Sequence, residues 1–129
     1  MAATLPELID EVLDIFREID ADVTGVKLNV LAAPPDKANK WNAWVEVSEY
    51  SQETYASRRA NLSAYFILGP ITSRSQRYPQ ALKLMDAILE ETKLAGEPVT
   101  WDFVRPVPEE AAIGEYLTVQ AIGYGMVDN

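Results

Sequence analysis

Carboxylates are the residues through which this chain could most readily do chemistry, because it holds 20 Asp and Glu and neither His nor Cys. Two acids whose environments push their pKa values apart can divide the acid and base roles of a reaction. The nearest pairs by sequence are Glu90-Glu91 and Glu109-Glu110. Adjacent acids on a helix or loop surface are ordinarily just hydrated, and structural charges far outnumber functional ones, so these are read as surface. The missing residue types exclude more than the present ones supply. Without Cys there is no disulfide, thiolate nucleophile, zinc ribbon or iron–sulfur ligation. Without His the commonest general base, metal ligand and triad base are gone. No P-loop, GxGxxG, GxSxG, DxDxDG or HExxH pattern occurs. The sequence therefore predicts no enzyme, no cofactor and no metal.

Residues suited to binding are better represented. Trp41 and Trp44 stand three apart at the start of a predicted strand, with Tyr50 and Tyr55 further along, and Arg58-Arg59 follows in the same stretch. Arg74 and Arg77 precede a predicted helix. Large aromatics on an outward strand face are the usual anchors of protein–protein contacts, and arginines donate charge-assisted bonds to acids on a neighbour. The plainer alternative for each stays open: a tryptophan covering one end of the core, and arginines solvated on loops.

The elements that position these residues follow from periodicity. Leu5, Leu8, Ile9, Val12, Leu13, Phe16 and Ile19 repeat at helical spacing opposite Glu7, Asp10, Glu11, Asp14 and Glu18, which predicts an amphipathic helix. Thr4 with Glu7 forms a capping-box pattern, and Pro6 is tolerated in a first turn. From Thr24 the period becomes two through Val26, Leu28 and Val30, a strand ended by Pro34-Pro35-Asp36. A second strand is expected from about Trp41 to Tyr50, with Ala43, Val45 and Val47 inward and Trp44, Glu46 and Ser48 outward. A third runs from about Leu62 to Leu68. The stretch between them, at about 50–61, has neither a tight-turn dipeptide nor core periodicity, and reads as a long hairpin connection of the kind that usually has a task.

A second helix is expected from near Pro79, with Ala81, Leu82, Met85, Ile88 and Leu89 on one face and a stop at Gly96-Glu97-Pro98. Val99, Trp101 and Phe103 alternate in a fourth strand, and a last strand lies near Glu115 to Tyr124, where Gly123 and Gly125 suggest a bulge or frayed edge. The expected fold is one α+β domain over 1–129, of order α-β-β-β-α-β-β, with two helices on one face of a mostly antiparallel sheet of about five strands. The other face, bearing Trp44, Tyr65 and Ile67, is too apolar to lie wholly in water and calls for a partner surface.

Charge sharpens that expectation. The 129 residues carry 11 Lys and Arg, a net charge of −9. Residues 1–22 hold seven acids and one base, residues 36–83 four acids and seven bases, and residues 86–129 nine acids and two bases. Such a distribution describes solvated faces, or acidic ends of one copy meeting the basic middle of the next. The net charge argues against specific nucleic-acid binding, which needs a basic stripe. The first residues lack a positive n-region and no apolar run approaches a membrane span, so cytoplasmic synthesis and no membrane partner are expected.

With the element order in place, the chain resembles the tail terminator, or tail completion, proteins of long-tailed bacteriophages. The likeness covers essentially the whole chain. It rests on size, on the acidic N-terminal helix Leu5-Pro6-Glu7-Leu8-Ile9-Asp10-Glu11-Val12-Leu13, on three strands with a long connection at Tyr50 to Asn61, on the helix Tyr78-Pro79-Gln80-Ala81-Leu82-Lys83-Leu84-Met85-Asp86-Ala87-Ile88, and on two closing strands. The resemblance implies a structural virion protein at the head-proximal end of the tail, assembled in the host cytoplasm. It implies a ring, commonly of six copies, that caps the polymerised tail tube, stops its growth and presents a surface to the head–tail connector. In those terms the hairpin reaches across a subunit boundary, and an acidic channel wall repels passing DNA. Trp41, Trp44, Tyr50, Tyr55, Arg58, Arg59, Arg74 and Arg77 are the candidate interface residues. Two other readings stay open: a head completion or neck protein of the same particle, and a small acidic inhibitor or immunity-type protein that docks on a basic partner.

Overall fold

A computed structural model describes residues 2–19, 27–37, 39, 41–70, 74–92, 98–107 and 116–128, with the side chains of 70, 74–76, 91 and 92 outside that set. Helix α1 spans Leu5–Arg17. The Thr4 side chain caps it by accepting from the Glu7 backbone N–H at 3.3 Å, and the Glu7 carboxylate accepts from the Ala3 N–H at 3.1 Å. Between them they satisfy amide donors that a helix start leaves without intrahelical partners. The apolar stripe seen in the sequence buries Leu8, Val12, Leu13 and Phe16. An exposed Arg17–Asp14 pair at 2.7 Å closes the last turn.

Among the described residues five strands follow the expected order: β1 (Asn29–Val30), β2 (Asn42–Thr54), β3 (Ser57–Pro70), β4 (Thr100–Pro106) and β5 (Tyr116–Asp128), with helix α2 (Arg74–Thr92) between β3 and β4. The sheet order is β1-β2-β3-β5-β4; β1 runs parallel to β2, and every other pairing is antiparallel. The two helices pack on one face. Their buried side chains join Ala43 and Val45 of β2, Leu62, Ala64, Phe66 and Leu68 of β3, Trp101 of β4 and Leu117, Val119 and Ala121 of β5 in one core. Phe16 meets Phe66 edge-on at 4.8 Å and stacks on Trp101 at 6.2 Å, joining α1 to the middle of the sheet.

Several expectations need correction. The connection expected at 50–61 is almost all strand, and the turn itself is only Tyr55–Ala56. Polar side chains made the segment look like loop, but pairing to β5 as far as Ser57–Asp128 keeps it in the sheet. Local hydrogen bonds make the turn: Thr54 and Ser57 hydroxyls meet at 2.8 Å, and the Thr54 hydroxyl accepts from the Ala56 N–H at 3.2 Å. Helix α2 begins at Arg74, with Pro79 inside it, and buries Ala81, Leu84 and Ile88. Leu82 and Leu89, expected inward, are 48% and 45% exposed. Finally, β1 has two residues among those described, and the start expected from Thr24 lies outside them.

The glycines of β5 have a defined purpose. An added Cβ at Gly123 would lie 2.3 Å from the Thr100 carbonyl oxygen and 2.8 Å from Trp101 Cα. Its partner strand bulges there, between Trp101 and Phe103, so the irregularity foreseen near Gly123 belongs to β4 and not to β5.

Candidate functional site

Strand alternation divides the sheet into a face under the helices and a bare face. On the bare face, pairing register places residues from four strands in transverse lines. Trp44 pairs with Tyr65, Tyr65 with Gln120, and Gln120 with Arg105. Side chains connect along this line: Trp44 stacks on Tyr65 at 5.5 Å, the Gln120 amide donates to the Tyr65 hydroxyl at 3.4 Å, and Arg105 donates to the Gln120 carbonyl at 3.1 and 3.3 Å. The next line holds Glu46, Ser63, Ile122 and Phe103. Phe103 is 45% exposed and lies under the Arg105 guanidinium at 5.5 Å. Beyond it, Arg59 lies over the Tyr124 ring at 3.9 Å and donates to the Asn61 side chain at 3.0 Å.

The candidate interface residues separate into groups. Trp44 is buried within the single chain at 4% exposure, and its indole N–H donates to Glu46 at 3.2 Å. It lies on the face away from the helices, against Tyr65 and outside the core cluster, and is not exposed in the single chain. Ile67, expected on the same open face, is fully buried together with its pairing partner Thr118, whereas Phe103 and Arg105 on that face are exposed and Tyr65, Gln120, Ile122, Tyr124 and Met126 are half-buried. Trp41 is half-buried in a left-handed backbone conformation, with φ of 69°, and the Arg77 guanidinium lies 5.0 Å over its ring. The pair belongs to the packing between the start of β2 and the start of α2. Arg77 also donates to Gln80 at 3.1 Å. Arg74 opens α2, and its side chain is outside the described set.

The hairpin residues are the accessible ones. Tyr55 occupies the turn with 96% of its surface exposed, Tyr50 is 38% exposed, and Arg58 is exposed beside Gln52, to which its Nε donates at 3.5 Å. Sequence reasoning missed Phe103, Arg105, Gln120 and Tyr124. The alternation that faces Gln120 away from Val119 and Ala121 was legible, but Phe103, expected in line with Val99 and Trp101, is turned to the other face by the bulge between Trp101 and Phe103, and the meeting with Tyr65 and Arg59 depends on β5 inserting between β3 and β4, which no local pattern announces.

A second apolar patch lies on the helix layer. Tyr78, Leu82, Met85 and Leu89 recur at i, i+4, i+7 and i+11 along α2; Tyr78, Leu82 and Leu89 are exposed and Met85 is half-buried. This outer stripe runs beside the inner one that enters the core, so α2 carries apolar residues on two faces.

Of the acid pairs, Glu109-Glu110 and the Glu91 side chain lie outside the described residues. Among the described residues no group of three or more acids is placed to hold a metal ion, and no helix is long and apolar enough to cross a membrane. No protein-family model matches the chain, and no curated protein matches it in sequence.

Proposed function

We propose that this chain is a structural virion protein of the tail terminator type, assembling as a ring that caps a polymerised tail tube and offers its far side to the head–tail connector. One observation carries the reading. Two unlike apolar patches occupy opposite layers of the molecule: the bare sheet around Phe103, Ile122 and Tyr124, and the outer stripe of α2 at Tyr78, Leu82 and Leu89. Cyclic assembly requires a heterologous contact, in which a patch on each copy meets a different patch on the next. Aromatics and arginines, the exposed Phe103 with Arg105 and the half-buried Tyr124 with Arg59, are suited to the centre of such a contact. The element order supports the same reading, since it is the order on which the likeness to tail terminators rests. The ring acts in the virion at the head-proximal end of the tail, without catalysis, and its net charge of −9 keeps passing DNA from binding.

The test is assembly. Light scattering on the purified chain, alone and with tail tube protein, is expected to give rings or ring-capped tubes. A monomer indifferent to tube protein overturns the proposal. Phe103→Glu places a charge in one patch only and is expected to abolish assembly while leaving the circular dichroism spectrum unchanged.

A further inference from the structure

The border of the sheet at β2 supports an inference that does not depend on ring formation. Strand β1 pairs with β2 only at Asn42 and Ala43, and the Leu31 N–H adds one more bond to the Ala43 carbonyl. From Trp44 to Thr54 the outer edge of β2 has no strand beside it among the described residues, although its inner edge is paired to β3 along nearly its whole length. A long strand edge with unpaired N–H and C=O groups is a template for another chain, and proteins without use for it protect it, often with lysine or proline. Residues 42–54 contain neither; the edge is guarded only by the carboxylates of Glu46, Glu49 and Glu53 and by register shifts at Val47/Glu49 and Gln52/Thr54, which leave it open to a chain of opposite charge.

The side chains along this edge say what fits there. Glu46 pairs with Ser63 and Glu49 with Asn61, so both acids stand on the bare face, brought next to each other by the register shift between Val47 and Glu49. Val47 pairs with Leu62 and Tyr50 with Ala60, so both stand on the helix face, where they remain 39% and 38% exposed. Glu53 adds a third acid, and β2 has no Lys or Arg. The edge is therefore two-sided: carboxylates above, apolar groups below.

We propose that the outer edge of β2 receives an extended segment of a partner protein as an added strand, with basic residues alternating with apolar ones. Strand addition satisfies the backbone groups, and side chains at alternate positions supply specificity. With period-two alternation, one set of the incoming side chains faces Glu46 and Glu49 and the other covers Val47 and Tyr50. A second copy of β2 is a poor occupant, because edge-to-edge pairing would bring the Glu46 and Glu49 carboxylates of both copies, four like charges, onto one seam.

The probe is a fluorescently labelled seven-residue peptide in which Lys and Val alternate. Its control has the same composition with the three Lys grouped before the Val, so that net charge is equal and alternation is lost. Fluorescence anisotropy is expected to show the alternating peptide binding about tenfold or more tightly than the control, and Glu49→Lys is expected to remove that preference. Hydrogen exchange on the full chain should slow at amides between Trp44 and Thr54 when the alternating peptide is bound. Equal binding of the two peptides would show charge attraction alone and overturn the proposal, as would no binding. A fall in the protein's own mass on Glu49→Lys, without peptide, would assign the wild-type edge to self-association and overturn it too. Ring formation is read from the mass of the wild-type protein, so failure there leaves this result separately readable.

Discussion

Single atoms of clearance decide the β4–β5 register. Gly123 lets the Thr100 carbonyl and the Trp101 backbone come nearer than any side chain would permit. Gly123→Ala is expected to destabilise the fold by about 1–3 kcal/mol, the usual range for overpacking, measured as a lower denaturation midpoint. Phe16 is the opposite case: fully buried between Phe66 and Trp101, it leaves a cavity when truncated. Phe16→Ala should cost about 3–5 kcal/mol in the same measurement. Arg59 is a surface residue with a specific partner, the Tyr124 ring. Replacing it with Glu removes a cation–π contact worth about 0.5–1 kcal/mol. That loss is small enough for Arg59→Glu to remain folded, so any large loss of assembly would belong to the interface and not to the fold.

At the scale of elements, what was legible depended on whether a pattern was local. The stripe of α1 could be read because its helix has one wet side and one dry side, and its Thr4 and Glu7 cap is written within four residues. Helix α2 was harder: with apolar residues on two faces, Leu82 and Leu89 were assigned inward, whereas Leu84 is the one buried. Periodicity alone cannot rank two adjacent stripes. A paired comparison checks the structural assignment. Leu84→Ala is expected to cost about 2–5 kcal/mol, while Leu82→Glu, in the exposed stripe, should change stability by no more than about 0.5 kcal/mol. Both are read by urea denaturation. The arm of β2 and β3 escaped reading for another reason. Residues such as Gln52, Arg58 and Arg59 have no buried side to alternate with, and their strand character comes from cross-strand pairing and from β5, distant in sequence. The candidate surface shares that origin: Trp44 seemed an exposed anchor because alternation names a face but not what covers it.

At the scale of the whole molecule, the chain combines a well-filled core on one side of its sheet with apolar residues left outside it on both layers. Phe103 on the bare face, Tyr78 and Leu82 on α2, and Val47 and Tyr50 at the β2 border are all exposed. Several separate patches of this kind suit a component that touches more than one neighbour. The acidic balance prevents indiscriminate clustering through long-range repulsion, which salt weakens within about 10 Å at 0.1 M. Assembly through apolar patches should therefore persist as ionic strength rises, whereas capture of a basic partner by long-range charge should weaken; light scattering at low and high salt distinguishes the two. The most direct measurement of the central claim is the mass of the purified chain mixed with tail tube protein at physiological salt. The account predicts a closed multimer that joins tube ends and halts their elongation. A particle that stays monomeric and leaves tube growth unaltered would contradict it.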